Sequence, residues 1–420
     1  MYRAESDVNG SRGWRLIKTR DFGLLWWGQT TSQIGEGLNK VALLWFVYEL
    51  TDSVMKMTMV GLLQTIPPLL FGPLIGVYLD RLPKKAVMVW VDFSRAFLTF
   101  LIPALYAADF LSIEGLYGLI FLTSVVSTVF GPALVSAVPL LVRPSELMSA
   151  NALIQGTNNI GMLLGPAISG IMIALINAEN VLFVNSATFL ISALCLMPIR
   201  LTVPQTRLED SSSSVWEELK VGFRFVFGQQ SIVLTLVIIS SLYNLGVSAF
   251  VFILPVYAKE FLQVGPVQLG WLWSALGVGM LAASTWLAWK KVSDVQGRWR
   301  IVVSGMTIGG FAVCSLSLLE TPLIAAAVVI IVGGSTAVLN PIVWALLQEA
   351  TPEHLIGRVL TTFSVGSMAS AMAGMTGFGW VADAVGPAAS LIGLGLVLLV
   401  TAGIAVRCTR GMIGPHVASA

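Results

Sequence analysis

A chain of 420 residues that is 56% hydrophobic and only 11% charged lies well below the roughly 25% charged content of soluble domains, and so belongs in a bilayer. A formal net charge of +2 excludes recruitment of a nucleic-acid partner by bulk charge. The cysteines Cys195, Cys314 and Cys408 lie far apart in apolar or terminal segments, which gives neither a disulfide framework nor metal-ligand spacing.

The chain opens with Arg3, Arg12, Arg15, Lys18 and Arg20 but has no short apolar core or small-residue cleavage site there. Residues 1–21 therefore read as a cytoplasmic N-terminus rather than a removable signal. Beyond it, twelve segments are long and apolar enough to cross about 30 Å of hydrocarbon: 22–48, 57–79, 86–108, 114–139, 147–176, 181–199, 231–258, 266–289, 301–319, 322–349, 355–383 and 388–407. Their continuous apolar character argues against the short alternating strands of a membrane barrel. The expected fold is all-α, with an N-terminal six-helix bundle at 22–199, a cytoplasmic linker at 200–230, a C-terminal six-helix bundle at 231–407 and a tail at 408–420.

In the first span Gln29, Gln33, Glu36 and Lys40 recur at helical steps and share one side. A helix facing only lipid would not keep such a row, so this face is expected to line a cavity in which Glu36 gains and loses a proton. The simpler alternative is an intrahelical Glu36–Lys40 pair that neutralises both. Between the second and third spans Gly76, Asp80, Arg81, Lys84 and Lys85 crowd a turn that Pro83 keeps from continuing as helix. Asp92 and Arg95 follow inside the third span, one turn apart. They are either a gate at the cytoplasmic end or a static pair, and together with Glu36 and Lys40 they are the candidates for proton coupling.

Further cavity candidates are Gln64, Asn151, Gln155, Asn158, Ser240, Asn244, Ser248 and Asn340, each in a helical row or alone in an apolar run. Most tryptophans fall near span ends, as an interfacial belt would place them; Trp344 and Trp380 lie further inside and are the aromatic substrate candidates. In the linker, Ser214 and Glu217 form a capping-box pattern. Trp216, Leu219, Phe223, Val226 and Phe227 follow at helical spacing, so this part reads as a surface helix and Gln205–Ser213 as plain linker.

Of the 24 Lys and Arg, Lys40 and Arg95 fall inside spans and only Lys56 and Lys259 fall in loops opposite the N-terminus. By the positive-inside rule both termini are cytoplasmic. A weak internal repeat at an offset of 208 residues matches Pro144 and Leu147 of RPSEL to Pro352 and Leu355 of TPEHL, and Gln33, Glu36 and Lys40 to Ser241, Asn244 and Ser248. Repeated halves point to rocking about a central site.

With these residues in place, the turn Gly76, Asp80, Arg81, Lys84, Lys85 resembles the loop between helices two and three of the major facilitator superfamily, with Pro83 where that family has Gly, and the resemblance implies that this turn, with the third-helix charges, is a cytoplasmic gate. DFGLLWWGQ in the first span, DRLPKK followed by Asp92 and Arg95, and PSELMSANAL at the fifth span resemble its macrolide and siderophore exporters. The resemblance implies two pseudo-symmetric six-helix bundles in a cell (inner) membrane. It also implies a small-molecule substrate and the proton gradient in place of any cofactor, with sodium the alternative coupling ion; no obligatory protein partner is evident in the sequence. Gly161, Gly165, Pro166 and Gly170 resemble the fifth-helix element of proton-coupled exporters, with Ser169 replacing one Gly. Close helix packing is the other reading of such spacing. The arginine that many drug exporters of this superfamily carry in helix four is absent from Glu114–Pro139, and Arg95 is the candidate replacement.

The leading expectation is proton-coupled export of amphipathic or hydrophobic small molecules by alternating access. The same scaffold also serves lipid flippases and importers. A membrane-embedded enzyme fares poorly: His354 and His416 stand outside any acid–base constellation, and no G-x-x-x-x-G-K-S/T phosphate loop occurs. A transport-derived sensor would need a signalling domain, for which the linker and tails are too short.

Overall fold

In the lipid phase every backbone N–H and C=O needs an internal partner, which continuous helices provide. The computed structural model describes residues 15–79, 82–143, 146–201, 223–228, 231–289, 295–352 and 355–412, and no strand occurs among them. The principal helices are α1 (Arg20–Thr51), α2 (Val54–Leu79), α3 (Lys84–Ala107), α4 (Ile113–Ala137), α5 (Leu147–Ile176), α6 (Ala178–Leu196), α7 (Ser231–Val256), α8 (Pro266–Trp289), α9 (Val295–Leu316), α10 (Pro322–Ala337), α11 (Leu339–Ala350), α12 (Ile356–Val385) and α13 (Pro387–Met412). The segment expected at 322–349 is one stretch long and apolar enough to cross the membrane, Pro322–Ala350, with a break in the helix at Val338. Pro341 has no N–H to give the carbonyl of Ala337, so the helix breaks and restarts there.

Ten stretches of the described residues are long and apolar enough to cross a membrane. Neither α1, with 32 residues, nor α12, with 30, is among them, although both have the length. Each carries more polar or small residues than a lipid-facing helix would. Asp80, Arg81, Lys290, Lys291, His354, His416 and most of the expected linker, with Ser214, Trp216, Glu217 and Leu219, lie outside the described residues. Within that linker, 223–228 is helical, with Phe223 stacked on Phe227 at 4.7 Å.

The chain divides into two compact units, Met1–Glu49 with Leu63–Ser211 and Leu50–Leu62 with Ser212–Ala420. In the first, Ser186 Oγ of α6 donates to Ala96 O of α3 at 2.7 Å, and Ser124 Oγ of α4 donates to Gln64 O of α2 at 2.9 Å. A buried apolar cluster including Phe22, Leu25, Met88, Val91, Phe130, Leu134 and Leu196 ties α1, α3, α4 and α6 together. In the second unit α7 packs on α12, α8 on α10 and α9 on α13. Gly333 meets the backbone of Leu276, and Gly310 that of Gly395. Leu50–Leu62 joins this unit through Gly61 against the Phe252 ring and Thr58 against Gly379.

The internal repeat has a structural counterpart. An offset of 208 carries Gly37 and Gly165, which touch, to Leu245 and Ala373. In the second unit Leu245 meets Gly374, one residue on. The turn between α5 and α6 is Asn177 alone (φ 67°, ψ 162°), and that between α12 and α13 is Gly386 alone (φ 104°, ψ 161°). Both reversals use a single residue with positive φ and ψ near 160°, one position beyond the 208 offset in the second copy, a conformation that glycine accepts and asparagine holds under strain.

Candidate functional site

The face of α1 expected to be polar is pressed between two neighbours. Gly28 lies against Ser192 and Cys195 of α6, and a methyl group on Gly35 would collide with Thr188 Oγ1 and Asn185 Oδ1 of the same helix. On the other side, Gly37 meets Gly161 and Gly165 of α5, Gly161 meets Gln33, and Ser169 Oγ donates to Leu38 O at 2.8 Å. In this structure Gly161, Gly165 and Ser169 form a packing surface, with Pro166 and Gly170 buried beside them. Removing side-chain volume on both partners is what lets two helices approach this closely.

That clamp fixes the direction in which Glu36 leaves α1. Its carboxylate pairs with the guanidinium of Arg95 on α3, and Arg95 Nη1 also lies 3.3 Å from Asp92 Oδ1 one turn earlier. Asp92 is wholly buried and Arg95 nearly so, whereas the Glu36 side chain is 38% exposed. Arg95 Cζ stands 4.0 Å from the centroid of the Phe189 ring and 5.7 Å from that of Phe130. The ring faces supply partial negative charge where water is excluded. Ser192 interacts with Asp92, but neither Asp92 Oδ2 nor Ser192 Oγ reaches a partner in good hydrogen-bond geometry.

Three of the four coupling candidates are thus brought together, and Lys40 is exposed one turn beyond Glu36. Gln29 is buried and Gln33 partly so. Lys84 and Lys85 open α3, half-buried; Gly76 is helical within α2. Of the other cavity candidates, Gln64, Asn151 and Gln155 are exposed and Asn158 is half-buried. Asn244, also half-buried, donates Nδ2 to Ser240 O at 2.8 Å within its own helix. Asn340 and Trp344 are exposed on α11, and Trp344 meets the Phe363 ring edge-on at 6.0 Å. Among the described residues no group of three or more His, Cys, Asp or Glu is placed to hold a metal ion.

Sequence reading passed over α6. Asn185, Thr188, Ser192 and Cys195 recur at helical steps, the same signal that singled out the first span. Phe189 and Phe130 gave none, because an aromatic residue in an apolar run is indistinguishable from lipid-facing bulk.

A family model described as Major Facilitator Superfamily matches residues 25–375. The multidrug efflux pump Tap of Mycolicibacterium fortuitum is 25% identical over 403 residues, covering 92% of this chain and 95% of the pump. Macrolide efflux protein A of Streptococcus pyogenes is 23% identical over 361 residues, 85% of this chain and 87% of its own. In fold, the chain is similar to a bacterial homologue of the human lysosomal transporter Spinster, with a TM-score of 0.74, 11% identity and 93% and 96% of the two chains covered.

Proposed function

Since this chain belongs to the major facilitator superfamily, and is therefore a membrane transporter, we propose that it exports amphipathic or hydrophobic small molecules, of the macrolide or siderophore kind, in exchange for protons. The observation that carries this reading is the triad Asp92–Arg95–Glu36, two carboxylates sharing one guanidinium inside an apolar bundle with only Glu36 partly open. With both acids ionised the triad bears one net negative charge, and one proton makes it neutral. A low-dielectric setting gives that single charge large weight.

Protonation of Glu36 removes its claim on Arg95, which then pairs with Asp92 alone; deprotonation draws Arg95 back to α1. Because α1 is clamped to α5 and α6 through glycine contacts, a change in the pull on Glu36 acts on these helices together. In alternating access, the expected halves at 22–199 and 231–407 rearrange to expose one substrate site to each side of the membrane in turn. Both termini lie in the cytoplasm on this reading, and the membrane is the cell membrane. The efflux names of the two relatives support the direction of transport.

The test is accumulation of macrolides, dyes and siderophores in an efflux-deficient bacterium. Export predicts lower accumulation with the intact protein, restored by collapsing the proton gradient and by Glu36→Gln at equal membrane abundance. Lower accumulation that survives gradient collapse would refute proton coupling. No change with any compound would refute drug export and favour lipids or imported nutrients as cargo.

A further inference from the structure

On the faces of α1, α3 and α6 that meet one another, Ser32 Oγ, Arg95 Nε and Asn185 Nδ2 are buried without a hydrogen-bond partner, Asp92 Oδ2 and Ser192 Oγ have only each other outside good hydrogen-bond geometry, and Gln29 Oε1 on α1 is buried and unpaired as well. Asp92 and Asn185 are wholly buried, and Ser32, Ser192, Gln29 and Arg95 are each less than 5% exposed. A polar atom sealed from solvent and left unpaired costs about 1–3 kcal/mol, so partners shared along this contact are strongly favoured. The set is balanced for them: Gln29 and Asp92 offer acceptors, Arg95 and Asn185 offer donors, and the two hydroxyls do either.

These residues follow one seam. Gly28 is level with Ser192, which faces Asp92, and Gly35 is level with Asn185 and Thr188. Between those two glycines α1 rises about 10 Å, with Ser32 on the intervening turn. At the far end Arg95 reaches the half-exposed Glu36. We propose that ordered water fills this seam between α1, α3 and α6 and connects Glu36 to Asp92, making Asp92 a second proton acceptor and Ser192 the residue that positions the water.

Water fits better than a metal cation. Arg95 already holds Asp92 Oδ1, and a cation on Oδ2 would stand beside that guanidinium, whereas a water molecule takes two to four partners at no charge cost. On the helices packed here the charged and titratable groups are Lys84, Lys85, Arg95 and Tyr106 on α3 itself, Arg20, Asp21, Glu36, Lys40, Tyr48 and Glu49 on α1, Glu179 and Cys195 on α6, and Glu114 and Tyr117 on α4; of these Arg95 is the one that pairs with Asp92. The inference extends the proton-coupling reading but is tested apart from it.

Among the protonated-carboxyl bands that infrared difference spectra of the purified, reconstituted, substrate-free protein show on acidification, one should be lost in Glu36→Gln and a second in Asp92→Asn. On transfer to deuterium oxide, the Asp92 band should exchange about tenfold more slowly in Ser192→Val than in the wild type, the equivalent of one lost hydrogen bond in the path. Ser192→Thr, which adds bulk but keeps the hydroxyl, should exchange as the wild type does and controls for misfolding. An absent Asp92 band, unchanged exchange in Ser192→Val, or slow exchange in Ser192→Thr would overturn the proposal. So would a shift of the Asp92 band in sodium chloride but not choline chloride, which would assign the seam to a metal cation. Because no substrate is present, these bands report on the seam even if export proves not to be proton-driven.

Discussion

Arg95 is the residue on which the buried charges depend. Removing one partner of a buried ion pair leaves the other uncompensated, a loss of about 3–5 kcal/mol. Arg95→Ala strands both Asp92 and Glu36, and should lower the amount of folded protein in detergent extracts severalfold. Asp92→Asn leaves Arg95 still paired with Glu36, so it should accumulate nearly normally, and fluorescence-detected gel filtration separates the two outcomes. Arg95→Lys keeps the charge but loses the planar fork that reaches two carboxylates at once. It should therefore fold and transport slowly, a turnover defect rather than a yield defect.

At the scale of elements, α1 is held by shape rather than by charge. Gly165 fits directly against Gly37, so Gly165→Leu should abolish folded accumulation. Gly131, which has open space where a side chain would go, should tolerate alanine without loss. The reversal at Asn177 is governed by backbone conformation. Its φ of 67° and ψ of 162° belong to a region that costs a non-glycine residue on the order of 1–3 kcal/mol. Asn177→Gly relieves that strain at some cost in unfolded-state entropy, and should raise the midpoint of thermal unfolding by a few degrees, an amount typical of ~1 kcal/mol.

For the whole molecule, the distribution of basic residues determines orientation. Cysteines introduced singly at Lys18, Lys85 and Arg298 should react with a membrane-impermeant maleimide only in inverted vesicles, whereas one at Lys259 should react in intact cells. Labelling of Lys18 and Lys259 positions from the same side would refute a cytoplasmic N-terminus with alternate loops. The Arg298–Glu349 pair, 2.6 Å between α9 and α11, lies at the same membrane face on this reading. It is partly exposed, so its loss should cost no more than about 1 kcal/mol.

What sequence alone determined was whatever the bilayer imposes one segment at a time. A span needs about 20 apolar residues whatever its neighbours are, so helix ranges such as 147–176 and 266–289 coincide with α5 and α8. The polar row of α1 was legible for the same reason, since a polar side chain is conspicuous against lipid. Which partner each polar group takes is a property of helix packing, and only the tertiary structure decided it. Glu36 had Lys40 within reach on its own helix, yet the contact that defines the triad is with Arg95, because the glycines of α1 and α5 set the angle at which Glu36 departs. The seam against α6 emerged in the same way. Asn185 and Ser192 form a helical-step row along the chain, but which helix they meet is decided only where Gly28 and Gly35 bring them against α1, where their side chains are buried with Asp92.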